Sequence, residues 1–205
     1  MSVNLKPTSA PLIDIRADER VFLAGQTGSG KTTLARTLLI NIDRLVIVDS
    51  KNGLNDWQAE SWSPGARHKL ATGADVRVRV VDDDQAVDAM EVAWAAGNTL
   101  VYVDEITLLI PVPQRVPQVV RQIWQQGRSR NVGGWGGSQR PVYVPRFFLS
   151  EATHFMIFRL VDIDDRKRLS GFAGKAVLNR PVDRFGFYHY NVKLDRLVYY
   201  KRLRA

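Results

Sequence analysis

Residues 25–32 have the types and the spacing needed to bind the phosphates of a nucleotide. They fit the pattern G-x-x-x-x-G-K-[ST] and stand between an apolar run and an expected helix. Glycine lets the backbone curl so that successive N–H groups point at one anion, and the helix N-terminus adds its positive end. Lys31 is expected to reach the β- and γ-phosphates, and the hydroxyl of Thr32 to bind Mg²⁺. The expected ATP-binding residues are Gly25, Gln26, Thr27, Gly28, Ser29, Gly30, Lys31, Thr32 and Thr33.

Two adjacent carboxylates could supply the chemistry that a bound triphosphate needs. Asp104 ends the apolar run LVYV, the position from which an aspartate organises Mg²⁺. Glu105 follows directly, and its carboxylate could act as general base on an attacking water. The alternative is that Glu105 is an ordinary acidic residue at the start of a loop. The Asp-Glu pair and an additional apolar strand between Lys31 and Asp104 favour an ATPase over a GTPase or a nucleotide kinase.

Other groups of polar residues give weaker signals. Asp82, Asp83 and Asp84 could bind a metal ion, but they also suit the N-cap and first turn of the Ala-rich helix that follows. The three histidines are scattered, and no pair has metal-ligand spacing. The chain has no cysteine, which excludes disulfides and thiolate metal sites. Trp135 is a candidate DNA contact, although a core or interface position is the commoner one for tryptophan.

Strands that alternate with helices must position these motifs. The pattern of apolar residues predicts strands over 21–24, 44–49, 76–81, 99–103 and 153–160, and helices over 31–41, 85–96, 117–126 and 162–169. We expect residues 1–19 to form an arm or an edge strand, 50–74 to be mostly loop, and 185–192 with 197–201 to form a terminal β-hairpin. Strand 44–49 is expected at the outer side of the sheet. The alternation predicts an α/β fold with a mostly parallel central sheet flanked by helices.

Composition and charge narrow the class of protein further. The 205 residues are 45% hydrophobic and 24% charged, which is typical of one globular domain and unlike a disordered chain or a coiled coil. No apolar run reaches the roughly 20 residues of a membrane-spanning helix, and the N-terminus lacks the apolar block of a secretory signal. Residues 140–205 hold 14 Lys/Arg against 6 Asp/Glu and carry the whole net charge of +8. This asymmetry suggests a polyanionic partner, or else only a basic solvated surface.

Taken together, the motifs resemble those of the FtsK–HerA superfamily of DNA-pumping ATPases. The likeness covers residues 20–160 and is carried by four stretches: GQTGSGKT at 25–32, VIVDSKNG at 46–53, VYVDE at 101–105 and GRSRNVGGWGGSQRP at 127–141. It implies a RecA-like P-loop fold of the ASCE branch. It further implies that Gln139 senses the γ-phosphate and positions water, at the end of a strand beside the phosphate-binding strand.

The same resemblance assigns an interface role to the residues after the helix 117–126. Arg128 is similar to the arginine finger that a neighbouring subunit inserts into the site, and Arg130 is the second candidate. Both could instead be basic residues that complement the helix C-terminus. The strand before Gln139 is rich in Val and Ile in the superfamily but reads VGGWGG here. Because glycine weakens a strand, this departure affects the expected position of Gln139.

A compact domain of this kind is similar to the genome-packaging ATPases of membrane-containing icosahedral viruses. The resemblance implies ATP hydrolysis with Mg²⁺, and sequence-independent translocation of double-stranded DNA through a homo-oligomeric ring, expected to be a hexamer, into a preformed capsid. Capsid or membrane-vertex proteins would be further partners, at the host cytoplasm or the packaging vertex of the virion. The alternatives are a related translocase of plasmid or host origin, a nucleotide-gated assembly protein, and a small-molecule kinase. One domain over 20–205 is expected, with DNA contacts such as Arg180, Arg184, Lys193 and Arg202.

Overall fold

The computed structural model describes residues 2–5, 13–110, 116–179 and 182–201. Its strands are β1 (Ser2–Leu5), β2 (Ile13–Arg16), β3 (Arg20–Ala24), β4 (Leu45–Val48), β5 (Glu60–Ser61), β6 (Arg77–Val80), β7 (Leu100–Val103), β8 (Gly133–Ser138), β9 (His154–Ile157), β10 (Phe187–Asn191) and β11 (Arg196–Tyr200). Its α-helices are α1 (Lys31–Leu39), α2 (Pro64–Ala71), α3 (Asp83–Ala96), α4 (Ile106–Leu109), α5 (Gln118–Gln126), α6 (Arg146–Ser150), α7 (Ile163–Ala173) and α8 (Ala176–Asn179). Two 3₁₀ turns span Gly127–Arg130 and Pro141–Tyr143.

Nine strands of the described chain form one sheet in the order β11-β10-β9-β3-β8-β7-β4-β6-β5. The strands from β9 to β5 in this order are parallel, whereas β10 and β11 pair antiparallel at one edge. The predicted α/β fold with a mostly parallel sheet and a terminal β-hairpin is confirmed. Because parallel strands end at the same edge of a sheet, the carboxyl ends of β3, β8, β7 and β4 lie side by side.

A hydrophobic core covers each face of the sheet. In β3, Phe22 and Ala24 point into one core with α3, α5 and α7, while Val21 and Leu23 point into the other with α1. The period of two in these burials follows from the pleat of a strand. Residues 13–16, in the segment expected to be an arm or an edge strand, form β2 in a separate two-stranded sheet with β1. Ile13 and Ile15 are fully buried in the second core, so β2 is anchored on the domain.

The glycines of β8 are explained by how closely the strand is packed. β8 lies between β3 and β7, and all of its residues are buried. A Cβ at Gly136 would overlap the Cδ1 atom of Ile106, and a Cβ at Gly137 would overlap the carbonyl oxygen of Asp104. Larger residues would therefore push β8 away from the chain that follows β7. Trp135 is fully buried in the second core, so its candidacy as a DNA contact is wrong.

Replacing Gly137 with alanine is expected to destabilise the fold by about 1–3 kcal/mol, because the neighbouring atom is rigid backbone. The control is Gly171→Ala, at an exposed site inside α7 where, apart from the helix's own backbone and the adjacent residues, no atom of the described chain lies within 4 Å of the added methyl group. That variant is expected to gain about 0.5–1 kcal/mol from helix propensity. Urea unfolding measures both changes. Equal free energies of unfolding for the two variants would contradict the packing account of β8.

The position of one strand differs from the sequence-based predictions, and one predicted loop also contains short elements. Residues 50–74 are mostly loop, as expected, but they also include β5 and α2. Ser63 caps α2 and Pro64 occupies its first turn, a start signal that the polar composition hides. β4 is not at the outer side of the sheet, since β6 and β5 lie beyond it. Gly127, the C-cap of α5 with φ −54°, begins a 3₁₀ turn after the helix ends at Gln126 as predicted. Its missing side chain leaves room for the carbonyl oxygen of Val132, which a Cβ atom would overlap.

Two histidines that are far apart in sequence are brought together at the edge of β9 and β10. His154 Nδ1 lies 2.9 Å from His189 Nε2, and His154 Nε2 lies 3.1 Å from an oxygen of Glu19. Burial, together with the neighbouring His154 and Arg196, lowers the pKa of His189 from 6.5 to about 4. The chain Glu19–His154–His189 therefore connects the loop after β2 to the terminal hairpin.

The low pKa of His189 predicts that the free energy of unfolding falls as the pH is lowered from about 6.5 to about 4. Between these two pH values the unfolded chain binds a proton at His189 that the folded chain does not bind. The free energy of unfolding therefore falls as the pH falls through this range, and the contribution of His189 is constant above the range. The expected loss is roughly 3 kcal/mol. Urea unfolding from pH 7 to 4 measures this loss. His189→Gln is expected to reduce the dependence of the free energy of unfolding on pH, whereas His68→Gln, at an exposed position, is expected to leave that dependence unchanged. A His189→Gln profile parallel to that of the wild type would contradict it.

Candidate active site

The phosphate-binding loop connects β3 to α1 at the carboxyl edge of the sheet. Gly30 precedes α1 with φ 105° and ψ 5°, a left-handed conformation that glycine adopts without strain. A Cβ at Gly25 would lie 2.6 Å from Cβ of Phe158 and 2.8 Å from Oγ of Ser29, so the loop packs directly against the residue that follows β9. Among the described residues, the buried hydroxyl of Ser29 has no hydrogen-bond partner. A buried donor of this kind suits an anion held in the loop.

The side chain of Lys31 points into the phosphate-binding loop. Its Nζ donates to the carbonyl oxygens of Gly25, at 2.5 Å, and Gln26, at 3.2 Å, and the residue is buried. Burial lowers the pKa of Lys31 from its ordinary value, because desolvation disfavours the ammonium, while the carboxylates of Glu105 and Asp104 oppose that shift. A phosphate in the loop would supply the missing negative charge at Nζ.

Thr32 and Asp104 meet as the sequence predicted. Thr32 Oγ1 donates to Asp104 Oδ1 at 3.0 Å, which brings the first turn of α1 to the end of β7. Tyr102 lies two residues earlier on the same face of β7, and its hydroxyl donates to the same oxygen at 2.7 Å. Burial, with Asp104 adding to it, raises the pKa of Tyr102 well above its ordinary value, so this donor keeps its proton. A hydroxyl and a carboxylate oxygen at this spacing are the hard ligands that Mg²⁺ prefers.

Glu105 is buried and is held by three different groups. Lys51 Nζ lies 3.2 Å from Oε2, the hydroxyl of Thr107 donates to Oε1 at 2.9 Å, and the backbone N–H of Gln139 donates at 3.2 and 3.3 Å. The carboxylate therefore has a fixed position relative to the end of β8. A fixed carboxylate beside a phosphate loop is the geometry that a general base for water requires.

Gln139 lies beside the phosphate-binding loop despite the glycine-rich strand that precedes it. β8 pairs in parallel with β3, with Ser138 opposite Ala24, and so delivers Gln139 to the loop. The hydroxyl of Thr27 donates to Gln139 Oε1 at 2.9 Å. A cavity of about 360 Å³ is lined by residues 26–33 together with Lys51, Asp104, Glu105, Gln139 and Phe185.

Lys51, Tyr102 and Phe185 are site residues to which the sequence analysis gave no role. Tyr102 could have been found from its spacing, because residues two apart in a strand share a face with each other. Lys51 follows the end of β4, next to β7, and belongs to the stretch VIVDSKNG. Phe185 comes from the far end of the chain, and no local pattern places it at the loop.

Arg128 and Arg130 lie in the 3₁₀ turn before β8, at the amino edge of the sheet. β8 is 6 residues long and separates this turn from Gln139 by about 20 Å. The guanidinium of Arg130 stacks over the ring of Trp94 at 5.2 Å, whereas Arg128 is exposed and contacts no charged or aromatic side chain within the described ranges. Neither arginine is among the residues that line the cavity of its own chain.

The basic residues of the last third serve different purposes. Arg140 forms ion pairs with Asp162 at 2.9 Å and with the buried Asp165 at 2.8 Å, which fixes the segment after Gln139. Arg184 stacks over Phe185 at 5.0 Å, and Lys193 is exposed in the turn of the terminal hairpin. Arg180 and Arg202 lie outside the described residues. Some of the positive charges in this part of the chain are therefore engaged in contacts within the fold.

Two further expectations concern metals and membranes. Asp82 caps α3 by accepting from the N–H of Gln85 at 2.9 Å, and Asp83 and Asp84 lie in its first turn, so the N-cap alternative describes this run. Within the ranges that the structure describes, no three acidic or histidine side chains are placed to hold a metal ion. No helix in those ranges has the length and apolarity to cross a membrane.

Several known proteins are similar to this chain, although no protein-family profile matches it. The DNA packaging ATPase P9 of Enterobacteria phage PRD1 is 31% identical over 170 residues, which cover 75% of this chain and 70% of P9. The genome packaging NTPase B204 of Sulfolobus turreted icosahedral virus 2, in complex with AMPPCP, superposes with a TM-score of 0.76 at 16% identity, over 92% of this chain and 100% of B204. VirB4 of Thermoanaerobacter pseudethanolicus gives a TM-score of 0.68 at 10% identity, over 100% of this chain and 96% of VirB4.

The structural matches show the P-loop NTPase fold, and the relationship to P9 shows the family. The resemblance to viral genome-packaging ATPases that the sequence suggested is confirmed by this relationship. This chain belongs to the family of viral DNA packaging ATPases that includes P9 of phage PRD1.

Proposed function

We propose that this chain is an ATP-hydrolysing motor that translocates double-stranded DNA and packages a viral genome into a preformed capsid. The observation that carries the proposal is the meeting of the phosphate loop, Asp104, Glu105 and Gln139 around one cavity, in a relative of a DNA packaging ATPase. Residues 20–205 would act as one ATPase domain, preceded by the segment 1–19. It would act in the host cytoplasm or at the packaging vertex, with capsid or membrane-vertex proteins as partners.

The phosphate loop would bind the triphosphate. Its backbone N–H groups and the helix N-terminus face the anion, Lys31 moves from the loop carbonyls to the β- and γ-phosphates, and the Ser29 hydroxyl gains an acceptor. Thr32 and Asp104 would hold Mg²⁺, which neutralises phosphate charge when it is bound. Tyr102 orients the Asp104 carboxylate for this task by its hydrogen bond.

Glu105 would act as the general base. Its carboxylate accepts a proton from water as the water oxygen bonds to the γ-phosphorus and the bond to the β-phosphate oxygen breaks, which releases ADP and phosphate. The side chain of Gln139 would hold that water and sense the γ-phosphate. Because the N–H of Gln139 also donates to Glu105, loss of the γ-phosphate would change the positions of Gln139 and Glu105 together.

The ring would complete the site. Arg128 lies at the amino edge of the sheet, about 20 Å from the cavity of its own chain, and is exposed. A neighbouring copy in a homo-oligomeric ring, which we take as a hexamer, could place this guanidinium at the transferred phosphoryl group. Hydrolysis would then depend on assembly.

DNA binding through phosphates predicts a steep and sequence-independent dependence on salt. Reversing two exposed charges, Lys193→Glu with Lys201→Glu, is expected to lower the slope of log K against log salt by about 0.9 for each DNA phosphate that the protein no longer neutralises. The control reverses Arg67 and Lys69 on α2, which changes the net charge equally. Fluorescence anisotropy with duplexes of unrelated sequence measures the slopes. Equal slopes for both double variants would show that the basic last third is a solvated or capsid-docking surface.

A further inference from the structure

Phe185 lines the candidate active site, and none of the catalytic roles proposed for the site involves it. Its ring lines the same cavity as residues 26–33 and is half-buried. We propose that Phe185 is the nucleobase-binding residue of the site, and that its ring stacks on the purine of ATP. This inference rests on the proposed function, since it assumes that the loop binds a nucleoside triphosphate.

The backbone at Phe185 is in a conformation that aromatic residues avoid. Its φ is +66°, and it is the third residue of a turn closed by the hydrogen bond from Gly186 N–H to the carbonyl oxygen of Asp183, at 3.0 Å. A turn position with positive φ is one that glycine fills without cost, whereas a bulky residue there is strained. Strain of this kind persists where a side chain is needed in a particular place, and ligand-binding sites are the usual case.

The turn is fixed from behind by the terminal hairpin. The hydroxyl of Tyr199 in β11 donates to Asp183 Oδ2 at 2.9 Å and accepts from the Asp183 N–H at 3.1 Å. A Cβ at Gly186 would lie 2.5 Å from the Tyr199 hydroxyl and 3.0 Å from the carbonyl oxygen of Lys201, so the chain passes directly against β11. The ring of Phe185 is thus presented by a rigid support rather than by a loose loop.

The position of the ring matches the nucleoside end of a bound triphosphate. Cδ1 of Phe185 lies 3.6 Å from where a Cβ of Gly30 would stand, at the N-terminus of α1. The groups expected to act on the γ-phosphate, Glu105 and Gln139, contact each other where β8 ends and form another wall of the cavity. A triphosphate that runs along the loop from that wall would place its nucleoside beside Phe185.

Arg184 supports the ring electrostatically. Its guanidinium carbon lies 5.0 Å from the centroid of Phe185, within the range of a cation–π contact. Such a contact holds the orientation of the ring and adds positive charge at the edge of the phosphate site. Stacking uses the flat face that every base shares, and the larger face of a purine gains more from it than that of a pyrimidine.

The test compares binding of ATP and of inorganic tripolyphosphate, which has the phosphates but no base. Phe185→Gly is expected to weaken ATP binding about ten-fold, the scale of one aromatic–base stack, and to leave tripolyphosphate binding unchanged. Glycine relieves the positive φ but removes the contacts of the ring, so thermal unfolding is followed alongside to establish that the variant is folded at the titration temperature. Phe185→Leu, which keeps apolar bulk without a flat ring, should weaken ATP binding nearly as much, whereas Phe185→Tyr should retain it.

Three results would overturn the inference: unchanged ATP affinity in Phe185→Gly, an equal loss for both ligands, or full ATP affinity in Phe185→Leu. Isothermal titration calorimetry gives both dissociation constants without requiring turnover. Failure of the proposed function would look different. A wild-type chain that binds ATP more tightly than tripolyphosphate through Phe185, but shows no DNA-dependent hydrolysis, would contradict the motor while supporting the nucleobase site.

Discussion

Replacing Glu105 with glutamine is expected to slow ATP hydrolysis about 10²–10⁴-fold while ATP stays bound. The amide keeps the size of the side chain and can still meet Thr107, but it cannot accept a proton from water. Lys31→Ala should also abolish hydrolysis, but by removing the phosphate contact, so its ATP affinity should fall. Phosphate release measured alongside ATP binding separates the two roles.

The matched control for this substitution is Glu91→Gln, at an exposed position on α3 that lies outside the cavity. It makes the same chemical change and should leave both hydrolysis and binding as in the wild type. If Glu105→Gln turned over ATP at close to the wild-type rate, the general base would have to be another group, and the position of Glu105 would be structural.

Mixing Arg128→Ala subunits with Lys31→Ala subunits is expected to restore hydrolysis that neither variant shows alone. An arginine supplied across an interface is worth about 10³–10⁵-fold in rate, so Arg128→Ala should be nearly inactive. In a mixed ring, some interfaces join an intact phosphate loop to an intact Arg128. For the same reason, the specific activity of the wild type should rise with protein concentration.

Arg130→Ala is the control for this experiment, because Arg130 is occupied by its contact with Trp94. It should stay active alone and should not be needed for complementation. Mixtures that co-assemble by light scattering but recover no activity would contradict a trans role for Arg128. If recovery required Arg130 instead, Arg130 and not Arg128 would be the arginine that acts across the interface.

The parts of the site that lie in short continuous motifs could be predicted from sequence. The residues from Gly25 to Thr32 and the pair Asp104-Glu105 follow apolar strands directly, and strand ends in a parallel sheet converge. The position of Gln139 was harder to predict, because the glycines that precede it weaken a strand in isolation. In the fold these glycines are required by the backbone of Asp104 and the side chain of Ile106, contacts that no local pattern contains.

The residues that sequence analysis missed depend on distant parts of the chain. Phe185 reaches the loop only because β10 pairs with β9, which pairs with β3. Trp135 was a candidate DNA contact, with the core as the commoner position, and it is fully buried in the core that β3 and β8 share with α1. The position of β4 inside the sheet likewise follows from β5 and β6, and one of these is only two residues long.

We propose that hydrolysis at this site moves the chain along double-stranded DNA. Displacement of a third strand from a linear DNA triplex tests it most directly, because only a protein that travels along the duplex strips the third strand. We expect displacement with ATP on duplexes of any sequence, none with a non-hydrolysable analogue, and none with Glu105→Gln. A wild-type protein that binds the duplex and hydrolyses ATP but leaves the third strand in place would contradict it.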